Sequence, residues 1–391
     1  MTRLQKLILQ NIVLSLLAVF FIATQTAHAS VTSIKSKNGT LAIDLPEGFY
    51  LVSSSKDGKS YQLQSSLLPV TAVIKVYDNG TYNTAEKALE DNLSRMNAEK
   101  EIDTFSWRNQ DCALSSFASY IGQTAAAGYA VAAPLPDEEG LIVMLVWTEQ
   151  TQFDACNDFM LSFIDGLCID FGSFYEAGLV TTYAYPNAQT YIPVTMTIDG
   201  KQIQSYMRES DKEANEYLIA REYNVLKLYA RSPLWKEAWT RYYRMVFRDS
   251  FKRLNRVSFD IFNELSPDCT DDTDLAQKLL TWTQGMNYER EKNTSDFASL
   301  PSIILGGGSD CDSRSMLLSV LLTSMNMDSI IFVSSEFSHA VAGLVSTHPG
   351  HSFTANGKEY LMGETTASGI TWGMIAQEQD DQSKWIPVLF Y

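Results

Sequence analysis

The sequence predicts an α+β protein in which antiparallel sheets and helices follow one another along the chain. Short strand-like runs alternate with longer helical ones, and clusters of glycine, proline and asparagine separate them. The 391 residues are 45% hydrophobic, which is enough to bury two or three packed domains. We expect a separate N-terminal α+β domain over residues 30–172, a β-hairpin region over 173–230 and a third domain over 231–391.

Residues 1–29 have the composition of a secretory signal peptide. Arg3 and Lys6 precede an apolar core over residues 12–23, and Ala27-His28-Ala29 forms a small-residue cleavage site. The core is shorter than the roughly 20 residues of a membrane span. No cysteine follows it closely enough for a lipid anchor. We therefore expect an exported protein, periplasmic or secreted, with no stable membrane anchor after cleavage.

The charge of the chain excludes one class of partner. The formal net charge is −16, and loss of a leader that holds two positive charges and no acidic residue would make it −18. A surface of that sign repels nucleic acid and anionic membranes, so neither is an expected partner.

In the N-terminal domain the alternation of the two kinds of run locates the elements. Strands are predicted at residues 41–45, 61–63, 70–77 and 140–147, and helices at 84–98 and 153–167. The run Leu45-Pro46-Glu47-Gly48-Phe49 and the later long helix resemble PsbP-like and Mog1-like domains. The residues indicate no role for this domain.

A hairpin and a long helix are predicted next. Asp199-Gly200 favours a tight turn between strands at 194–198 and 202–206. The helix covers 232–264, with Ser232 as its cap and Pro233 in its first turn. Apolar and aromatic residues recur along it at helical spacing, as Trp235, Trp239, Tyr242 and Val246.

The same helix carries basic residues among its aromatic ones, namely Arg241, Arg244, Arg248, Lys252, Arg253 and Arg256. Such a pattern occurs on nucleic-acid surfaces, where rings stack on bases. In a strongly acidic protein the basic patch is local at best. We therefore favour an amphipathic helix that packs its aromatic face between domains, with its arginines paired against an acidic surface.

A glycine run delivers a cysteine to the first turn of an apolar helix. The segment is Gly306-Gly307-Gly308-Ser309-Asp310-Cys311-Asp312. Unpaired N–H groups and the dipole at a helix N-terminus favour negative charge, so the Cys311 thiol is predicted to ionise more easily. The same N–H groups can stabilise an oxyanion. Asp310 and Asp312 are expected to cap the helix and support its dipole.

The helix after Cys311 is predicted to bury one face and to end at Asn326 in the left-handed region. The residues of that face are Met316, Leu317, Val320, Leu321 and Met325. A strand over 329–333 then leads to His339, which opens a second apolar run. A third run, over 360–366, carries Glu364 near its end. Cysteine, histidine and carboxylate in this order can supply a nucleophile, its base and the group that orients the base.

These segments together resemble the transglutaminase-like cysteine peptidase superfamily, in a branch found in bacteria and archaea. The motifs that carry the resemblance read TWTQGMNY at 281–288, GGSDCDSRSMLL at 307–318, HAVAGL at 339–344 and YLMGETT at 360–366, followed by Trp372. Four motifs in order form a specific signal, although each is weak alone. Two positions depart from the pattern: Ser309 replaces a glycine, and Glu364 replaces the aspartate common in the wider superfamily.

The resemblance implies a papain-like core, with a helix against an antiparallel sheet, and a thiol enzyme that acts on amide bonds. It implies Cys311 as the nucleophile, His339 as the general base and acid, and Glu364 as the residue that holds the imidazole. Gln284 matches the motif glutamine and would donate to the oxyanion, with Asp312 in support. A peptide or protein substrate is expected, and hydrolysis is favoured over transamidation. A non-catalytic binding or assembly module with the same fold is the alternative from another class.

No cofactor or metal is expected. His348-Pro349-Gly350-His351 is interpreted as a turn between strands, because the carboxylates that orient zinc-bound histidines are not evident nearby. The alternatives are a metal site with Cys311, or calcium held by acidic residues beside the cysteine, as in some relatives.

Five cysteines allow one free thiol and up to two disulfides among Cys112, Cys156, Cys168 and Cys269, with no pairing assigned. One pair is excluded if the helix predicted between Cys156 and Cys168 is continuous. It would hold their Cα atoms roughly 18 Å apart, beyond the roughly 7 Å that a disulfide bridges.

Overall fold

The structure, a computed structural model, describes residues 32–35, 40–186, 189–290, 295 and 297–390. The predicted signal peptide lies outside these residues. Residues from Val31 to Tyr391 form one compact unit. Within the described ranges, no helix is both long and apolar enough to cross a membrane. The architecture is α+β, with antiparallel sheets and helices packed on them.

The elements up to residue 168 are as follows. The strands are β1 (Thr32–Lys35), β2 (Thr40–Ile43), β3 (Phe49–Ser54), β4 (Ser60–Ser65), β5 (Val70–Asp78), β6 (Glu99–Trp107), β7 (Gln110–Ile121), β8 (Thr124–Pro134), β9 (Gly140–Glu149) and β10 (Leu167–Cys168). The helices are α1 (Ala85–Arg95) and α2 (Phe153–Asp165).

Strands β3 to β9 form an antiparallel sheet in the order β3-β4-β5-β9-β8-β7-β6. Successive residues of a strand point to opposite faces, so Ala130 and Ala132 of β8 pack with α1 while Val131 and Ala133 pack with α2. Each face of the sheet is therefore covered by one helix, and the predicted α+β class with an antiparallel sheet is confirmed for this part of the chain.

Three long strands, β6, β7 and β8, occupy a stretch where the sequence predicted none. The stretch is rich in alanine and serine, as in SSFASY and AAAGYAVAA, and these residues have little strand propensity of their own. They are held in the sheet because β8 pairs with β9, β7 pairs with β8 and β6 pairs with β7, and because α1 packs on all three.

The elements from residue 179 onward are as follows. The helices are α3 (Leu179–Ala184), α4 (Asp211–Lys227), α5 (Trp235–Leu265), α6 (Asp272–Gln284), α7 (Leu300–Ile304) and α8 (Cys311–Ser324). The strands are β11 (Tyr191–Ile198), β12 (Lys201–Arg208), β13 (Ser329–Ser334), β14 (His339–Leu344), β15 (Ser352–Ala355), β16 (Lys358–Gly363) and β17 (Ile386–Val388). Short 3₁₀ turns fall at 136–138, 150–152, 171–175, 266–268, 377–379 and 382–384.

The hairpin predicted at Asp199-Gly200 is confirmed, because β11 pairs with β12 and both turn residues have positive φ, 51° and 74°. The prediction of hairpins throughout 173–230 is wrong, since α3 and the long helix α4 lie in the same region. Apolar residues at helical spacing on α4, including Ala214 and Leu218, are buried where α4 packs on α5.

The long helix is confirmed as α5, but it begins at Trp235 rather than at Ser232. Leu234 occupies the cap position without a side-chain hydrogen bond to the helix. The Ser232 hydroxyl instead accepts the Leu234 N–H at 3.2 Å, within the turn that precedes the helix.

The arginines of α5 pair inside the protein. The Arg241 side chain is 3% exposed and donates to the Asp44 carbonyl at 2.8 Å and to the Glu222 carboxylate at 3.0 Å. Arg244 binds the Asp44 carboxylate through two nitrogens, at 2.7 and 3.0 Å. Arg248 donates to four main-chain carbonyls, those of Asp165, Leu167, Ser173 and Glu176. These contacts agree with a structural role for α5, but the partners of its arginines are buried carboxylates and main-chain carbonyls and not an acidic surface.

The last sheet has the order β15-β16-β14-β13-β17 and is antiparallel. Helix α8 packs between this sheet and α5, and its residues from Cys311 to Leu322 are all buried. The prediction of a single buried face is therefore wrong, because α8 is enclosed on every side. The predicted end of the helix is confirmed by Asn326, whose φ is 66°.

The described cysteines are all free thiols. Helix α2 ends at Asp165, so Cys156 and Cys168 sit on different elements, and the structure forms no bond between them. The disulfides that the cysteine count allowed are absent among the described residues.

Candidate functional site

The glycine run brings Cys311 to the first residue of α8, as the sequence predicts. Asp310 is the N-cap, and its carboxylate accepts the Ser313 N–H at 3.0 Å and the Ser313 hydroxyl at 2.7 Å. Gly306 has a φ of 95°, and a side chain at Gly308 would overlap Glu289. The loop therefore needs glycine for both its backbone angle and its close contacts.

The loop is tied to the segment that follows α6. Ser309 pairs with Tyr288 in a parallel bridge, and the Ser309 carbonyl accepts the Glu289 N–H at 2.9 Å. The Ser309 hydroxyl, which stands where the motif has glycine, accepts Arg314 Nε at 2.9 Å. The departure from the motif therefore supplies a buried hydrogen bond.

Arg314 joins three of the motif segments from a position that is 1% exposed. In addition to Ser309, its guanidinium donates to the carbonyls of Met286 at 2.6 Å and Thr365 at 3.2 Å. The rigid fork of a guanidinium suits such a junction. Arg314 thereby places the cysteine loop beside the strand end that carries Glu364.

His339 and Glu364 form a hydrogen-bonded pair in the structure. His339 opens β14, Glu364 directly follows β16, and these two strands are neighbours in the sheet. The distance from His339 Nε2 to Glu364 Oε2 is 2.7 Å. Ser338, the residue before the histidine, has a φ of 48°, which is uncommon for a residue other than glycine and turns the chain into the strand.

Further contacts stabilise the ionised form of Glu364, which accepts the hydrogen bond from the imidazole. Its second oxygen accepts the N–H and the hydroxyl of Thr366, at 2.7 and 2.6 Å. Burial acts to raise the pKa of Glu364, but the hydrogen bond and charge of His339 and the hydrogen bonds from Thr366 outweigh it and lower the pKa to about 2. Since Nε2 of the ring faces Glu364, Nδ1 is the nitrogen left to exchange a proton with a reacting group.

The sulfur of Cys311 lies beside the start of β14. The main chain of Ala340, the residue after His339, lies beside the sulfur and acts to lower the pKa of the thiol. The thiol also contacts Asp312 Oδ2 at 3.2 Å. Cys311 is 2% exposed, so the nucleophile candidate is covered in this structure.

The ionisation of the thiol runs against the sequence prediction. Burial, followed by the negative charges of Asp312 and Asp310, raises the pKa of Cys311. The prediction that the helix start lowers this pKa is therefore wrong for the arrangement seen here. The thiol is held in its neutral form, with a carboxylate as hydrogen-bond acceptor.

Asp312 reaches the sulfur because Tyr243 holds it. Asp312 is 6% exposed, and its other oxygen accepts a short hydrogen bond from the Tyr243 hydroxyl on α5. Asp310 caps α8 as predicted, whereas Asp312 bonds a side chain of another helix. The predicted role of Asp312 in capping is therefore corrected to a contact with the thiol.

Asp312→Asn is expected to lower the pH at which Cys311 becomes reactive. The change removes a negative charge next to the sulfur, so the thiolate forms at lower pH and iodoacetamide labelling at pH 7 rises roughly tenfold. The check is the pH profile of labelling, followed by mass spectrometry of the Cys311 peptide. The exposed Asp111 on β7 gives the matched control, Asp111→Asn, which leaves the profile unchanged. An unchanged or higher midpoint in Asp312→Asn would contradict this account of the thiol.

Gln284 does not have the predicted position of an oxyanion donor. Its amide nitrogen donates at 2.8 Å to two main-chain carbonyls, those of Glu364 and Ile370, and its oxygen accepts the Gly369 N–H at 3.2 Å. Both amide hydrogens are committed to these carbonyls. Gln284 therefore fastens the loop after Glu364, and the predicted oxyanion role is corrected.

Within the described residues, no group of three or more histidine, cysteine, aspartate or glutamate side chains is arranged to hold a metal ion. His348 pairs with Asp271 and His351 with Asp380, each at 2.9 Å. The segment between these histidines connects β14 to β15, as the interpretation of a turn requires.

A cleft of about 400 Å³ opens beside the pair. His339 and Asp312 line it together with Trp235 and Trp239 of α5 and residues 334, 335 and 338 of the β13–β14 turn. A second cavity, of about 550 Å³, lies on the Asp310 side and shares Lys227 and Arg290 with the first. A third, of about 890 Å³, lies between β11, α6 and residues 303–307 and contains no member of the proposed triad.

Several residues of this site were not among the sequence predictions, namely Arg314, Tyr243, Trp235, Trp239 and Ser338. Arg314 occupies a basic position of the motif around Cys311, and this position was the one feature of the sequence that could have indicated a role in the site. The tyrosine and tryptophans lie nearly seventy or more residues from Cys311 in the sequence, and only the packing of α5 on α8 brings them to the site.

No family model and no curated protein matches the sequence. Solved structures with partial similarity include cyanobacterial PsbP (CyanoP) from Synechocystis sp. PCC 6803, with 11% identity, a TM-score of 0.29, and coverage of 38% of this chain and 97% of that one. The Ran-binding protein Mog1p of Saccharomyces cerevisiae has 10% identity and a TM-score of 0.27, over 36% and 96%. A protein from Bacteroides thetaiotaomicron has 11% identity and a TM-score of 0.24, and the match covers 57% of this chain and 75% of that one. At these TM-scores the similarities carry no argument about function.

Proposed function

We propose that this protein is an exported, transglutaminase-like thiol enzyme that cleaves amide bonds as a peptidase or amidase. Cys311 is the nucleophile, His339 the general base and acid, and Glu364 the group that orients the imidazole. The observation that carries the proposal is the His339–Glu364 hydrogen bond of 2.7 Å, at the start of a strand whose next residue, Ala340, lies beside the Cys311 sulfur.

The raised pKa of the thiol favours a base-assisted attack over a preformed thiolate. As the sulfur bonds to the carbonyl carbon, His339 takes the thiol proton, and the Glu364 carboxylate stabilises the imidazolium that forms. Main-chain N–H groups at the start of α8 stabilise the oxyanion. His339 then gives the proton to the leaving amine, which departs and leaves an acyl-enzyme.

The acceptor of the acyl group decides the reaction. Water, activated by His339, releases a carboxylic acid and makes the protein a hydrolase. A lysine amine would give an isopeptide bond and make it a transamidase. Hydrolysis is the proposal, since transamidation also demands a site that keeps water away from the acyl-enzyme.

One observation favours a second candidate, a binding or assembly module without turnover. Cys311 is covered, and its thiol is held neutral by burial and by Asp312. A buried, inert cysteine would have the same environment.

The test compares cell-envelope proteins treated with the purified protein and with its Cys311→Ser variant. New N-termini that depend on Cys311 are the expected result, whereas new isopeptides would identify a transamidase. If neither product forms, and Cys311 resists iodoacetamide in the folded protein from pH 6 to 9, the binding module replaces the enzyme.

A further inference from the structure

Three aromatic side chains of α5 run from the cleft to the sulfur. The rings of Trp235 and Trp239 lie 6.0 Å apart between centroids, and so do those of Trp239 and Tyr243. The spacing of four residues places all three on one face of the helix. The stripe ends at Asp312, which the Tyr243 hydroxyl holds against the Cys311 thiol.

The two tryptophans are only partly buried, although the face of α5 that holds them packs on the core. Both line the cleft that also contains His339 and Asp312, together with Leu226 and Tyr229. A half-open pair of indole rings offers a large apolar surface that nothing in the described chain covers completely. Such rings bind side chains of similar shape and polarity, and aromatic pairs prefer offset or edge contacts.

The opposite wall of the cleft is small and polar. Ser334 ends β13 opposite His339, and Ser335 and Ser338 lie in the turn between β13 and β14. Their short side chains leave room for a substrate main chain, and hydroxyl groups can donate to and accept from its amides. An apolar wall faced by a few polar groups is the usual construction of a ligand site.

The charges at the cleft disfavour one class of side chain. Among the described residues, Lys227 and Arg290 are the basic side chains that line the cleft, and the acidic one, Asp312, is hydrogen-bonded to Tyr243 and to the thiol. A lysine or arginine side chain of a substrate would meet the like charge of Lys227 there. An apolar side chain meets no such repulsion and removes indole surface from water.

We infer that the tryptophan wall is a specificity subsite for a large apolar side chain, aromatic or branched aliphatic, of a peptide that lies between it and the serine turn. The inference rests on the proposed function, because it places the scissile amide at Cys311. It names the substrate class as peptides with such a residue next to the cleaved bond, and it separates them from glycine-rich or basic peptides.

The test uses acetylated fluoromethyl ketones of phenylalanine, glycine and lysine, which alkylate a thiol with loss of fluoride. The second-order rate of Cys311 alkylation should be about tenfold to a hundredfold higher for the phenylalanine probe than for the glycine probe, as full burial of that side chain allows. The lysine probe should react no faster than the glycine probe. Iodoacetamide, which has no side chain to recognise, gives the baseline reactivity of the thiol.

Trp239→Ala should lower the phenylalanine-to-glycine ratio about tenfold, and Trp239→Phe should retain most of it. Trp235→Ala, farther from Tyr243 and Asp312, repeats the test if the first variant is unstable. The matched control is Trp282→Ala, since Trp282 lines the separate cavity between β11 and α6. It should leave the ratio unchanged.

The outcomes distinguish failure of the subsite from failure of the proposed enzyme. A wild-type ratio near one, or a ratio that survives both alanine variants, overturns the subsite and leaves the enzyme in place, because the probes still alkylate Cys311. If no ketone labels Cys311 while iodoacetamide does, the thiol does not act on a carbonyl compound bound in the cleft. The proposed function then falls, and the subsite falls with it.

Discussion

Replacing His339 with alanine should lower the rate of Cys311-dependent amide cleavage by roughly a thousandfold or more. General acid–base groups contribute about 10²–10⁴-fold to the rate of a reaction. A neutral thiol must lose its proton before or during the attack, so the rate should depend strongly on His339. In the proposed mechanism the histidine also protonates the leaving amine, so both halves of acyl-enzyme formation would depend on it. The measurement is kcat/KM on a peptide identified from the envelope digests.

Two further variants show whether the effect is specific to His339. Glu364→Gln keeps a side chain of similar size but removes the carboxylate that stabilises the imidazolium, so it should cost about 10²-fold or more. His348→Ala removes an exposed histidine that pairs with Asp271 and should leave the rate unchanged. Equal activity of His339→Ala and the wild type would contradict the assignment of the base.

The second large effect is on stability. Arg241→Ala should lower the free energy of unfolding by about 3–5 kcal/mol, because it removes one of the two cations that hold the buried Glu222 carboxylate, the other being Arg221. The guanidinium binds Glu222, the Asp44 carbonyl, and both the hydroxyl and the carbonyl of Ser162. Urea unfolding curves of the two proteins measure the difference.

Arg256→Ala provides the comparison on the same helix. Arg256 is 61% exposed and pairs with Asp260 one turn away, so its loss should cost less than about 1 kcal/mol. A similar cost for the two variants would show that burial of the Arg241 network does not determine its contribution. A change in the slope of the urea curve would indicate loss of cooperativity between the two parts of the chain that Arg241 joins.

Local pattern was sufficient for much of the fold. Periodicity located α1, α2, α5 and α8, and turn chemistry located the Asp199-Gly200 hairpin, because these features depend on residues close together in the chain. The same rule explains the misses. The strands β6 to β8 have weak strand propensity and are held by their neighbours in the sheet. Helix α4 was missed because the prediction extended the hairpin region over its residues.

The sequence by itself determined the order of cysteine, histidine and glutamate, the glycine loop, the helix that begins at Cys311 and the strand that begins at His339. Each depends on residue type and spacing within a short stretch. Only the tertiary structure decided the protonation state of the Cys311 thiol and the hydrogen-bond partner of each polar side chain. Asp312 meets Tyr243 across 69 positions, Gln284 meets the carbonyl of Ile370 across 86, and Arg244 meets Asp44 across 200. Burial and charge at such contacts set a pKa, and neither can be known before distant segments pack together.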